Sequence, residues 1–122
     1  MSDEPVTIVQ PHAEVLHMVV RCARLDEDLT RQLRREVAAA AEQARHLPVV
    51  LDLTNVDFIP SHALGVLVKF LAEFKNHGQR FLLVGLQRSV RSTLAVTRLD
   101  RLFEIFDTLD EAVANLHGGR PA

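Results

Sequence analysis

Apolar and polar positions alternate in short blocks along the chain, and the period of each block predicts an element. Val6-Thr7-Ile8-Val9 is a short β-type run closed by Pro11, and Val15-Leu16-His17-Met18-Val19-Val20 is a longer one. The turn between them predicts an antiparallel start. Leu25-Asp26-Glu27-Asp28 supplies acidic capping chemistry for a first helix, in which Leu29, Leu33, Val37, Ala40 and Ala44 recur at three- and four-residue steps. Pro48 ends that helix, and Val49-Val50-Leu51-Asp52-Leu53 reads as a buried central strand.

Val56-Asp57-Phe58-Ile59-Pro60 leads into Ser61, from which a second helix is predicted to run to about His77 and stop at Gly78. Its inward stripe is Leu64, Leu67, Val68 and Leu71. Arg80-Phe81-Leu82-Leu83-Val84-Gly85 is another buried strand, followed by a helix with Val90 and Leu94 as its inner contacts. Leu102-Phe103-Glu104-Ile105-Phe106 is a short last strand. Thr108 and Glu111 form a T-x-x-E capping box before a helix with Leu109, Ala112, Val113 and Leu116 on one face. The order β-β-α-β-α-β-α-β-α predicts a single small α/β domain. Its mixed, mostly parallel sheet has about five strands and packs with about four helices. The domain is expected over residues 6–117, between flexible tails at 1–5 and 118–122.

Composition narrows the function classes. The 122 residues carry 14 Lys+Arg against 16 Asp+Glu, a formal charge of −2, which gives no footprint for nucleic acid or an anionic membrane. No apolar run approaches the ~18 residues that span a bilayer. Met1-Ser2-Asp3-Glu4-Pro5 lacks the features of a signal peptide, and Cys22 is the single cysteine. Together these predict a cytoplasmic protein without a disulfide or cysteine-based zinc site. The histidines at 12, 17, 46, 62, 77 and 117 show no metal-ligand spacing. Neither G-x-x-x-x-G-K-[ST] nor G-x-G-x-x-G occurs, so no metal and no cofactor is expected. Cys22 and His17 lack a helix N-terminus to activate a thiol, and Asp52 reads as a strand-end turn residue. No catalytic constellation emerges, and the protein is expected not to be an enzyme.

Ser61 stands apart. Its place after Ile59-Pro60 predicts a helix N-cap, and the same geometry suits an added phosphate meeting free N–H groups at the positive end of the helix dipole. At 100° per residue, Val66 and Phe70 fall outside the predicted stripe. Either neighbouring structure covers them, or they form an apolar docking patch beside Ser61.

These segments together resemble a STAS domain, the fold of anti-sigma factor antagonists and of the cytosolic tails of sulphate transporters. The resemblance is carried by Ala23-Arg24-Leu25-Asp26, Val49-Val50-Leu51-Asp52-Leu53 and the run Val56-Asp57-Phe58-Ile59-Pro60-Ser61-His62-Ala63-Leu64-Gly65-Val66-Leu67. Gly78-Gln79-Arg80-Phe81-Leu82-Leu83-Val84 and Leu102-Phe103-Glu104-Ile105-Phe106 extend it over roughly residues 6–117. It implies a non-enzymatic antagonist that binds an anti-sigma serine kinase of the GHKL type in a partner-switching pathway. Ser61 takes the position of the phosphorylated serine, and a phosphatase is the implied second partner if Ser61 is modified. The implied docking residues are Asp26, Pro60, Ser61, His62, Gly65, Val66 and Phe70. The alternative is a cytosolic STAS subunit of an ABC-type lipid transporter, and the residues leave a homodimer open. Three positions depart from the family pattern: Pro60 replaces an Asp, His62 a second hydroxyl residue, and Ala63 the first glycine.

Overall fold

The computed structural model describes residues 4–12 and 14–118. The tails expected at 1–5 and 118–122 fall mainly on residues 1–3 and 119–122, which lie outside the described residues. Ten elements follow the predicted order: β1 (Thr7–His12), β2 (Val15–Val20), α1 (Glu27–Gln43), β3 (Val49–Asp52), α2 (Ser61–Asn76), β4 (Phe81–Val84), α3 (Arg88–Val96), a 3-10 turn (Leu99–Arg101), β5 (Glu104–Phe106) and α4 (Leu109–Leu116).

The five strands form one sheet in the order β1-β2-β3-β4-β5, antiparallel between β1 and β2 and parallel elsewhere. Each parallel strand is laid beside its predecessor on the same side. Right-handed crossovers therefore carry α1, α2 and α3 to one face of the sheet. That face holds the larger core: Leu16, Met18 and Val20 of β2, Val49 and Leu51 of β3, and Phe81 and Leu83 of β4 meet Leu33, Val37, Leu67, Phe70 and Leu94 from the helices. The alternate residues Val15, Val50, Leu82 and Val84 point the other way and meet α4 around Ala112.

Three local expectations shift. β1 continues through Pro11 to His12, because an edge strand needs no outward N–H at a proline. At the start of β1 the Glu36 carboxylate of α1 accepts hydrogen bonds from the Val6 N–H (2.9 Å), the Thr7 N–H (2.8 Å) and the Thr7 hydroxyl (2.6 Å), tying the edge to the helix. Leu102 and Phe103 stay outside β5, and Leu102 closes the 3-10 turn instead.

The third shift is the roll of α2. Its buried residues are Ala63, Leu64, Leu67, Phe70 and Phe74, with Val68 and Leu71 only half-buried. On a 100° step this places the inward face roughly 60° from the predicted stripe. The cause is aromatic. Phe70 stacks on Phe74 (centroids 5.7 Å apart) and meets Phe81 edge-on at 5.8 Å, while Phe81 meets Phe103 at 6.3 Å. Two phenyl rings bury more apolar area than Val68 and Leu71, so the helix turns toward them. Phe70 is 1% exposed and Val66 is half-buried against the core. The expected docking patch of Val66 and Phe70 is thereby corrected: Phe70 belongs to the core and presents no surface.

Candidate functional site

The C-terminal ends of the parallel strands carry the loops that lead into α1, α2 and α3, and these loops are tied to one another. The Asp57 N–H (2.8 Å) and Phe58 N–H (3.3 Å) both donate to the Ala23 carbonyl, and Arg24 bridges Phe58 in parallel. The Ser89 hydroxyl at the start of α3 donates to the Asp57 carbonyl at 2.7 Å, and the Gln87 side-chain amide donates to the Thr54 carbonyl at 2.8 Å. His62 Nε2 donates to the Leu25 carbonyl at 3.2 Å, binding the first turn of α2 to the entry of α1.

Asp26 fulfils its capping role: its Oδ1 accepts from the Leu29 N–H at 2.8 Å. It is also exposed beside the α2 loop. Asp26→Ala is expected to lower stability by about 1 kcal/mol, the usual cost of losing a helix N-cap. Urea unfolding followed by circular dichroism checks this.

Ser61 departs from its expected role. Pro60, in an extended conformation (φ −74°), is the N-cap of α2, and its carbonyl accepts from Ala63 (3.0 Å) and Leu64 (3.1 Å). The fixed φ of proline starts the helix one residue early, leaving Ser61 as the first helical residue. Its hydroxyl makes no capping bond, and the first turn carries no acidic side chain. The positive end of the α2 dipole is thus neither capped nor neutralised, and an exposed hydroxyl stands upon it. Gly65, one turn on, is exposed with nothing within 4 Å of where a Cβ would stand. Exposed Ser61, His62 and Gly65, with half-buried Pro60 and Val66, make one surface next to Asp26.

Two residues that the sequence reading did not name as docking residues join it. Phe58 is 45% exposed, and the Arg24 guanidinium lies over its ring, 4.7 Å from the centroid. Buried Val56 and Ile59 take the inward places of this loop and leave Phe58 outside. An aromatic so close to Ser61 was the available signal; its exposure depends on tertiary packing.

Beneath the site Asp52 accepts from His17 Nε2 at 2.9 Å and from the Thr54 amide at 2.9 Å, and it also bonds the Thr54 hydroxyl. Burial pushes the Asp52 carboxyl up. The hydrogen bonds from Thr54 and His17, with the charge of His17, outweigh that and hold it below the ordinary carboxylate range. This fastens the turn after β3. Burial raises the Cys22 thiol, helped by nearby Asp26 and only partly opposed by a backbone hydrogen bond, so the thiolate is disfavoured. His17 is committed to Asp52. Among the described residues no group of three or more His, Cys, Asp or Glu is placed to hold a metal ion. Nor is any helix among them long and apolar enough to cross a membrane.

The family model for the STAS domain matches residues 17–112. A Thermotoga neapolitana protein, named as a homolog of the anti-sigma factor antagonist TM1081, is 37% identical over 70 residues, covering 57% of this chain and 62% of that protein. The chain thus spans less than two thirds of that relative. A solved anti-sigma-factor antagonist (STAS) domain protein from Planctomyces limnophilus superposes with a TM-score of 0.78 at 26% identity, over 89% of this chain and 95% of that one. An anti-sigma factor antagonist from Mycobacterium paratuberculosis gives 0.78 at 25% identity, over 91% and 92%.

Proposed function

The chain belongs to the STAS domain family, and on that premise we propose that it is a non-enzymatic anti-sigma factor antagonist, docking in the cytoplasm on an ATP-binding anti-sigma serine kinase. Relatives that bear the antagonist name support this reading. The observation that carries it is Ser61: an exposed hydroxyl on an uncapped, unneutralised helix N-terminus, flanked by the surface of Asp26, Phe58, His62 and Gly65. A kinase needs a reachable hydroxyl. A switch needs that hydroxyl to lie inside the docking surface, and the exposure of Ser61 beside Asp26, Phe58, His62 and Gly65 supports that reading.

The direction of the switch follows from charge. Phosphorylation adds about −1.5 to −2 charge. In the free protein that charge sits favourably at the α2 N-terminus, beside the free N–H groups of the first turn. In the complex it must be desolvated against the partner, next to the carboxylate of Asp26. Phosphorylation therefore stabilises the free form relative to the bound one. A phosphatase that removes the group restores docking.

Ser61→Asp is expected to weaken binding to the anti-sigma factor by tenfold or more, about 1.4 kcal/mol. Ser61→Ala should bind as the wild type does and resist phosphorylation. Calorimetric titration of both variants checks this. Ser61→Asp places an acid in the first helical turn, which favours the folded state, so a loss of binding does not come from unfolding. Equal affinity of the two variants would remove Ser61 from the interface.

A further inference from the structure

The β1 edge of the sheet is closed by one carboxylate. The Arg21 N–H donates to the Val6 carbonyl at 2.7 Å, and this sets the alternation along the strand. With Val20 opposite Thr7 and Met18 opposite Val9, the backbone groups of Ile8, Gln10 and His12 turn to β2, and those of Thr7, Val9 and Pro11 turn outward. Pro11 has no N–H to offer. The Thr7 N–H is taken by Glu36 at 2.8 Å, so among the described residues of β1 only Val9 keeps a free outward donor. An open edge here would be a liability. Val6-Thr7-Ile8-Val9 is β-branched throughout, and Ile8 is 42% and Val9 48% exposed.

Glu36 is surrounded by donors. Its Oε2 accepts from the Val6 N–H (2.9 Å) and the Gln32 side-chain amide (2.8 Å), and its Oε1 from the Thr7 N–H (2.8 Å) and the Thr7 hydroxyl (2.6 Å). Val6 and Thr7 are buried, and Glu36 is half-buried. A proton added to this carboxylate meets no fixed acceptor. Only the Thr7 hydroxyl can turn to accept it, and it then surrenders its own bond. The two backbone N–H groups are left with a neutral acceptor, and hydrogen bonds to a charged one are roughly twice as strong. Burial pushes the Glu36 carboxyl up, but the bonds from Thr7, Val6 and Gln32 outweigh it and hold the carboxyl below its ordinary range. The groove between α1 and β1, completed by Pro5, Val9, Met18, Ala40 and Gln43, is lined by no other titratable side chain. One turn away on α1, Gln32, Leu33, Ala39 and Ala40 are all neutral. Beyond Gln32 lie Cys22 and the Glu4–Arg21 pair (3.4 Å).

We propose that Glu36 is a proton-controlled clasp for the sheet edge: ionised, it holds the start of β1 against α1, and protonated, it releases the Val6 and Thr7 N–H groups and opens the edge. A carboxyl held below its unfolded-state value stabilises the fold above that value, and the contribution is lost as pH falls through the folded-state value. The clasp is therefore shut at neutral pH and opens in acid. Opening raises the outward donors of the strand from Val9 alone to Thr7 and Val9. The proposal does not depend on the antagonist reading.

Amide hydrogen exchange of the full chain, read by NMR as protection factors over a series from neutral to acid pH, tests it. The Val6 and Thr7 amides should be protected at neutral pH and lose at least tenfold as the Glu36 carboxyl titrates, followed in the same samples by its carboxyl-carbon shift. The Leu51 and Leu83 amides of β3 and β4 should stay protected over that range, which separates opening of the clasp from global unfolding. Glu36→Gln should show the loss at Val6 and Thr7 already at neutral pH, with no further loss in acid. Glu42→Gln, at an exposed position on the same helix, should behave as the wild type does. Protection of Val6 and Thr7 that stays constant through the Glu36 titration overturns the proposal. So does a loss shared equally by Leu51 and Leu83, or a folded Glu36→Gln variant with wild-type protection at Val6 and Thr7. If Glu36→Gln does not fold, the wild-type series alone decides.

Discussion

Phe70→Ala should lose about 3–5 kcal/mol of folding stability, the range for emptying a fully buried phenylalanine site. The ring lies at 1% exposure, stacked on Phe74 and edge-on to Phe81, so alanine leaves a cavity bounded by two aromatics and the sheet. Domains of this size hold about 5–15 kcal/mol in total, so the variant keeps only part of its margin. Val66→Ala, at a half-buried position eight residues before Phe74, should cost much less. Urea unfolding separates these outcomes. A Phe70→Ala variant within about 1 kcal/mol of wild type, yet unable to dock, would return Phe70 to the surface and contradict the roll of α2.

Gly85→Ala is the second large effect, expected at about 2–4 kcal/mol from backbone strain plus a lost side-chain hydrogen bond. Gly85 follows β4 with φ +73°, a conformation that L side chains rarely adopt. A Cβ there would overlap the Thr54 hydroxyl and crowd Asp52 Oδ1 at 3.2 Å. Rotating the Thr54 side chain away from Gly85 abandons its hydroxyl bond to Asp52, one of the bonds that fasten the turn after β3. The loss reaches the candidate site, because Asp57, Phe58 and Ser61 hang from that turn. The expected signature is a lowered melting temperature together with weaker docking. Unchanged stability would mean that the turn relaxes freely and that the Asp52–Thr54 contact does not hold the loop.

Much of this was legible in the sequence, for reasons that can be located. The element order follows from periodicity and punctuation. α1 stops at Gln43, five residues short of the Pro48 expected to end it, but Gly78 stopped α2 with φ +71°, and Asp26 and Thr108 capped α1 and α4 with bonds to the Leu29 and Glu111 amides. At these last three positions a residue's own geometry decides, and its neighbours have little say. The roll of α2 was not legible, because that helix is apolar over more than half its circumference. A 100° step orders its faces without ranking them. The ranking came from Phe81 and Phe103, which lie in other elements.

The candidate site was legible in part. Ser61, Asp26, His62 and Gly65 reach one surface. The N-cap position moved from Ser61 to Pro60, since a proline carbonyl in extended geometry accepts the first helical bonds whatever side chain follows. The His17–Asp52 pair needs the parallel register that sets Val19 beside Asp52 and His17 beside Val50. The Arg24–Phe58 stack likewise needs the bridge between two loops 34 positions apart in the chain. No local pattern encodes either.

The most direct test of the antagonist reading is capture of binding proteins from native cytosol and solubilised membrane of the source cells, identified by mass spectrometry, with wild type and Ser61→Asp in parallel. The account predicts a small ATP-binding serine kinase that is retained by the wild type and lost with Ser61→Asp. Recovery of a transporter ATPase with its permease, held equally by both proteins, would contradict it.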